Sequence, residues 1–218
     1  MKKVSMENIK ELRSKTGAGI TDCKRALEDA NGKIDIAVEN LRKKGLALAD
    51  KKANRIAAEG LIVTYVHAGS RIGVIVELNC ETDFVARQPK FQRLAKDIAM
   101  QIAACQTVDY VSRDCIPEEF IRYEETIELQ SEDLADKPFD LRKKIAKGRL
   151  NKRMKELSLI DQPFIKQTNI TIEELIKQHI ALLGENIILR RFKRFILGEG
   201  LQTKTIDFKQ EVVSVIEN

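Results

Sequence analysis

Residues able to carry covalent or metal chemistry are few and scattered in this chain. His67 and His179 have no second ligand nearby in sequence, and no G-x-S-x-G, H-E-x-x-H or P-loop pattern occurs. The four cysteines, Cys23, Cys80, Cys105 and Cys115, show no C-x-x-C spacing and read as reduced thiols of an intracellular protein. Gly17-Ala18-Gly19-Ile20-Thr21-Asp22 lacks the third glycine of a dinucleotide fingerprint and follows a helix rather than a strand. No metal or cofactor site is expected. What remains is the chemistry of recognition. In Glu77-Leu78-Asn79-Cys80-Glu81-Thr82-Asp83-Phe84-Val85-Ala86-Arg87, Thr82 suits a helix N-cap and Asp83 a first-turn acid. Taken alone, Phe84 reads as a core residue at the start of that helix. A second candidate is the basic stretch 142–155, with Arg142, Lys143, Lys144, Lys147, Arg149, Lys152, Arg153 and Lys155. It could contact nucleic-acid phosphates, though one basic helix is more often a solvated face or an interface with an acidic partner.

The elements that must position these residues follow from periodicity. Residues 4–45 read as three short helices. Ile9 and Leu12 mark the first, which ends at Thr16-Gly17-Ala18-Gly19. Ile20, Cys23, Ala26 and Leu27 mark the second, stopped by Asn31-Gly32, and Ile34, Ala37, Val38 and Leu41 mark the third, stopping near Gly45. Leu12, Ile20 and Leu27 read as core, while Arg13, Lys24 and Arg25 are either a solvated face or contacts for an acidic partner helix. Residues 46–59 have no Pro and no Gly and read as a helical connector. The runs 61–67 and 71–79 flank Ala68-Gly69-Ser70 as a β-hairpin, and Phe91, Leu94, Ala95, Ile98 and Ile102 form a helical stripe to pack on it. Helices are predicted over 118–130 and 139–157, a short strand over 162–165, a helix opened by Thr171-x-x-Glu174 and a long strand over 186–197. The fold class is α+β, with a mainly antiparallel sheet packed by helices and strands from both ends of the chain in one sheet.

Composition sets outer bounds. The chain has 218 residues, 43% hydrophobic and 33% charged, which allows one sizeable core or two small ones and argues against disorder. Lys and Arg number 38 against 33 Asp and Glu, and a net charge of +5 is too small to demand a nucleic-acid or membrane partner. No apolar run approaches the roughly 20 residues of a membrane-spanning helix, and no transit peptide is expected at the start.

Two of these segments are specific beyond generic folding. Leu12-Arg13-Ser14-Lys15-Thr16-Gly17-Ala18-Gly19-Ile20-Thr21-Asp22-Cys23-Lys24-Arg25-Ala26-Leu27 and the segment from Glu77 to Arg87 resemble the elongation factor Ts family, guanine-nucleotide exchange factors for the translational GTPase elongation factor Tu. The similarity extends in order to Gly148-Arg149-Leu150, Gln162-Pro163-Phe164-Ile165 and Gly184-Glu185-Asn186-Ile187-Ile188-Leu189-Arg190-Arg191-Phe192.

The resemblance implies a non-enzymatic factor without a cofactor. Its N-terminal three-helix module, residues 1–45, would be of the ubiquitin-associated type and dock on the GTPase nucleotide domain through Leu12, Arg13, Thr16, Gly17, Ala18, Gly19 and Ile20. A helical connector, 46–59, would lead to an α+β core, 60–218, for exchange and dimerisation. That core would present Thr82, Asp83, Phe84 and Val85 near the magnesium and phosphate site, with Phe84 as a wedge and Asp83 as its polar neighbour. The partner would be elongation factor Tu, GDP-bound and nucleotide-free. Long members carry two related core subdomains and a coiled-coil insertion; this chain has room for one core copy and reads as the short form, whose members are homodimers. The expected setting is a bacterial cytoplasm or a plastid stroma, with no membrane and no direct nucleic-acid partner. The alternative is a ribosome- or RNA-associated binding module using the helix from Arg142 to Lys155.

Overall fold

A computed structural model describes residues 4–201; the part of the expected core beyond residue 201 lies outside them. The chain opens with α1 (Met6–Thr16), α2 (Ile20–Asp29) and α3 (Ile34–Lys52). Ser5 caps α1, its hydroxyl accepting the Asn8 N–H at 3.1 Å, and Asn31 and Gly32 take positive φ in the turn from α2 to α3. Ile9, Leu12, Cys23, Ala26, Leu27 and Ala37 close a small core of their own among the three helices.

Strands β1 (Glu59–Val66) and β2 (Ile72–Cys80) form the hairpin expected around Gly69, and the one-turn helix α4 (Asp83–Ala86) leads into α5 (Pro89–Ala104). Val74, Val76 and Leu78 of β2 face Phe91, Leu94, Ala95, Ile98 and Ile102 of α5, all buried, because a period-2 stripe and a period-3.6 stripe meet face to face. Helices α6 (Glu118–Leu129) and α7 (Phe139–Leu157) make a hairpin closed at its base by Ile116, Met154 and Leu157. Strand β3 (Pro163–Phe164) pairs with β4 (Gln167–Thr171), a strand the sequence did not signal. Helix α8 (Ile172–Leu183) opens as expected, the Thr171 hydroxyl accepting the Glu174 N–H at 3.2 Å, and β5 (Ile187–Ile196) follows. Strands β1, β2 and β5 form one antiparallel sheet in that order, so both ends of the core share it and the α+β class stands.

A bulge on β5 fixes part of this sheet. Glu77 pairs with Arg191 and the next residue, Leu78, with Leu189, leaving Arg190 as the extra residue. Both guanidiniums then reach the one carboxylate, Arg190 and Arg191 each at 2.6 Å from Glu77.

The N-terminal helices join the core along α3 and α8. The expected stop near Gly45 does not occur: α3 continues to Lys52, so the 46–59 connector is helical only to that point and then turns into β1. Gly45 instead marks a close crossing, where an added Cβ would lie 3.1 Å from Ala181 Cβ. The run Leu46-Ala47-Leu48-Ala49-Asp50 sustains the helix beyond it, with Ala49 buried in the main core. Ion pairs flank the crossing, Arg42 with Glu174 at 2.8 Å and Lys177 with Asp50 at 3.0 Å.

Candidate functional site

Three chain segments meet at one end of the sheet, where Glu59 pairs with Cys80 and Cys80 with Ile187. They are the lead into β1, the turn from β2 into α4, and the turn from α8 into β5. Helix α4 is anchored there by Val85 and Ala86, both buried, whereas Phe84 on its other side is 78% exposed. The default reading of a lone Phe as core is thereby overturned. A four-residue helix has two sides, and the neighbouring apolar residues take the inner one.

Thr82 sits at the N-cap position with extended backbone, yet its side chain makes no capping bond. Its hydroxyl donates to Glu185 Oε1 at 2.6 Å and its N–H to Glu185 Oε2 at 2.9 Å. From below, the Cys80 thiol donates to the Thr82 carbonyl at 3.1 Å. Burial first, then the nearby Glu185 charge, pushes that thiol up to about 11, so it stays a protonated donor at neutral pH. Glu81 reaches the opposite way: its Oε1 accepts the Asn186 N–H at 2.7 Å, and its other oxygen faces Arg55 at 3.5 Å. Asn186, 2% exposed, donates its amide to the carbonyls of Ala53 and Arg55 at 3.2 and 2.8 Å. Asp83 pairs with Arg87 at 3.0 Å across the turn and is half-buried.

The N-terminal candidate segment is divided between core and surface. Leu12 is fully buried; the Thr16 hydroxyl donates to the Leu12 carbonyl at 2.7 Å and accepts the Ala18 N–H at 3.3 Å. Gly17 closes α1 with φ +68° and its N–H on the Arg13 carbonyl at 2.8 Å, and Gly19 is the N-cap of α2. Arg13, Lys24 and Arg25 are exposed. Ile20, expected in the core beside Leu12 and Leu27, is 53% exposed. The packed stripe of α2 runs through Cys23, Ala26 and Leu27, and Ile20 lies at the open end of the helix, one turn before it.

The C-terminal end of α8 brings the two candidate segments together. A Cβ at Gly17 would lie 3.1 Å from Leu182 Cδ1, Lys52 donates to the Gly184 carbonyl, and Glu185 holds Thr82. Glu185 and Asn186 were inside a recognisable segment of sequence, but their part in the site was missed. They act across more than a hundred residues of chain, and nothing in their local pattern announces a partner.

The basic helix is less free than its sequence suggests. Arg149 pairs with Asp133 and, at 3.6 Å, with Glu128, Arg153 reaches Glu124 at 3.9 Å, and Arg142 donates to the carbonyls of Ala135 and Lys137. The Arg149 guanidinium, with the Ser131 hydroxyl second, holds the Asp133 carboxyl well below the usual carboxylate range. The exposed lysines Lys143, Lys144, Lys147, Lys152 and Lys155 remain. Among the described residues no three His, Cys, Asp or Glu side chains are grouped to hold a metal, and no helix is long and apolar enough to cross a membrane.

Comparison with known proteins places these features in a family. The family model described as Elongation factor TS matches residues 3–199. An elongation factor Ts of Synechococcus sp. (strain JA-2-3B'a(2-13)) is 61% identical over 206 residues, covering 94% of this chain and 80% of its own. A chloroplastic elongation factor Ts of Porphyra purpurea is 57% identical over 213 residues, covering 98% of this chain and 97% of its own. An elongation factor Ts of Prochlorococcus marinus (strain MIT 9301) is 53% identical over 218 residues, with both chains covered in full.

Proposed function

The chain belongs to the elongation factor Ts family, and from that membership we propose that it is a guanine-nucleotide exchange factor for elongation factor Tu in translation elongation. It binds the GDP-loaded GTPase, disturbs the magnesium and phosphate site and releases GDP so that GTP can load. No covalent bond is made or broken. The observation that carries this reading is Phe84, an aromatic side chain held out at 78% exposure on a helix whose other apolar residues are buried.

In such a GTPase the nucleotide is held by donors around the β-phosphate and by a magnesium ion that demands near-ideal octahedral geometry, so a small displacement is costly. A factor that binds the nucleotide-free GTPase more tightly than the loaded one weakens nucleotide by the same factor, since coupling between two ligands is reciprocal. Interface free energy gained only when the phosphate site is distorted therefore appears as faster GDP release. Phe84 supplies apolar area for that interface, with Thr82, Asp83 and Val85 as its mount. The N-terminal helices dock on the nucleotide domain through the segment from Leu12 to Ile20, Ile20 and Arg13 on the outside and Leu12, Thr16 and Gly17 shaping the turn. Support for joint action of the two segments comes from their shared abutment on the end of α8.

The protomer acts as a homodimer in this reading. Ile62, Val66, Ile75 and Phe195 lie exposed on the outer face of the sheet among Thr64, Arg191 and Lys193, a mixed apolar and charged surface for a second copy. The setting is a bacterial cytoplasm or a plastid stroma. The RNA-binding alternative loses ground because the arginines of α7 are already paired within the helical hairpin. Stopped-flow release of a fluorescent GDP analogue from elongation factor Tu, with increasing amounts of this chain, tests the proposal. Concentration-dependent acceleration is expected; no acceleration by folded protein contradicts it.

A further inference from the structure

The dipeptides Glu81-Thr82 and Glu185-Asn186 hold each other in a reciprocal pattern. The Glu185 carboxylate takes the N–H of Thr82, and the Glu81 carboxylate takes the N–H of Asn186, at 2.9 and 2.7 Å. Each acid thus grips the residue that follows the other. Four donors serve the two carboxylates: the N–H groups of Thr82 and Asn186, the Thr82 hydroxyl and the Arg55 guanidinium.

Thr82 is the residue this arrangement immobilises most fully. Its N–H and hydroxyl go to Glu185, and its carbonyl takes both the Cys80 thiol at 3.1 Å and the Ala86 N–H of α4 at 3.3 Å, so Thr82 is tied on one side to the turn from α8 into β5 and on the other to α4. The cost is visible in α4 itself, which starts without a side-chain cap. A one-turn helix with an empty cap cannot hold its own geometry, since four residues are far too few for independent helix stability. The direction of Phe84, two residues on, is therefore set by what holds α4 from outside: the burial of Val85 and Ala86 and, through Thr82, the turn between α8 and β5.

We infer that Glu185 is a positioning residue, which acts through Thr82 to hold Phe84 ready for insertion into the GTPase. Glu81 and Asn186 complete the clamp by fixing the turn that carries Glu185, with the Asn186 amide tying in the lead to β1 through the Ala53 and Arg55 carbonyls. Such preorganisation saves the ordering cost of the contact at the moment of binding. The inference rests on the exchange reading above and assigns work to a residue that touches neither GTPase nor nucleotide in it.

A double-mutant cycle tests it by GDP release from elongation factor Tu, using the full chain as wild type, Glu185→Ala, Phe84→Ala and the double variant. Glu185→Ala should slow exchange about tenfold, the loss of about 1.4 kcal/mol of coupling. In the Phe84→Ala background the same substitution should change exchange less than about twofold, because a group that acts through another loses its effect with it. Thr82→Val, which removes the hydroxyl and keeps the shape, serves if Glu185→Ala folds poorly, and its loss should vanish in the Phe84→Ala background likewise. Wild-type exchange in folded Glu185→Ala, beside an impaired Phe84→Ala, overturns the clamp and spares the exchange reading. Equal losses in both backgrounds overturn it too, since Glu185 would then act independently. An unimpaired Phe84→Ala removes the wedge itself and the clamp with it.

Discussion

Gly60→Ala should destabilise the protein sharply, at the very end of the sheet that carries the candidate site. Gly60 lies in β1 opposite Asn79 with φ +146°, a conformation open almost only to glycine. A Cβ built there would lie 2.7 Å from Asn79 Cα and 3.1 Å from the Leu78 carbonyl carbon, and closer still to that carbonyl's oxygen. These are backbone atoms of the central strand and cannot swing aside, so β1 must lift where Glu59 pairs with Cys80. Backbone strain of about 1–3 kcal/mol and overpacking of similar size combine to about 4 kcal/mol. For a chain of this length, that lowers the unfolding midpoint by about 8–16 °C. Gly69→Ala is the control: φ is +87° and nothing lies within 4 Å of a Cβ, so it carries only the strain, about 1–2 kcal/mol or roughly 2–8 °C. Thermal unfolding followed by far-ultraviolet circular dichroism compares the two. A midpoint for Gly60→Ala no lower than that for Gly69→Ala would refute the reasoning, because the steric contribution would be absent.

Arg194, whose side chain is 11% exposed, donates to the carbonyls of Cys105, Gln106 and Val108 just past the end of α5 and pairs with Asp109. Arg194→Met should leave those carbonyls unpaired at a cost of about 2–4 kcal/mol, read as a lower urea midpoint with unchanged slope. His179 is held below its ordinary value, first by burial, with its Nδ1–H on the Leu175 carbonyl and Asp97 opposing and Lys90 adding to the effect. The folded state therefore favours the neutral ring, so stability should be full above about pH 6.5 and decline as pH falls from there toward the lowered folded value, a slope that His179→Gln should flatten. In a thiol titration of the native protein, exposed Cys115 should react first, while buried Cys23 and Cys80 should react only on unfolding.

Local pattern made much of this fold legible. The stripes of α2 and α5, the Thr171 cap of α8, the Gly69 hairpin and the last strand all appear close to where periodicity places them, because each is fixed by neighbours within one element. Gly45 misled because glycine serves both as a helix stop and as a gap for a crossing helix, and only the presence of Ala181 decides between them. Ile20 misled because helical spacing gives a face but not how far along the helix the packing extends. At the site, the exposure of Phe84 was legible only through family resemblance, since residue type alone puts a Phe inside. The grip of Glu185 on Thr82 joins residues 103 apart in sequence and left no local trace.

The exchange reading turns on Phe84, and the most direct measurement is GDP release from elongation factor Tu with wild type and Phe84→Ala side by side. Because Phe84 is 78% exposed, its truncation should leave the thermal midpoint within about 2 °C of wild type. Losing most of a Phe burial of about 2–3 kcal/mol at the interface should slow exchange by about 30- to 150-fold. Exchange at the wild-type rate by stably folded Phe84→Ala would contradict the claim that this side chain drives nucleotide release.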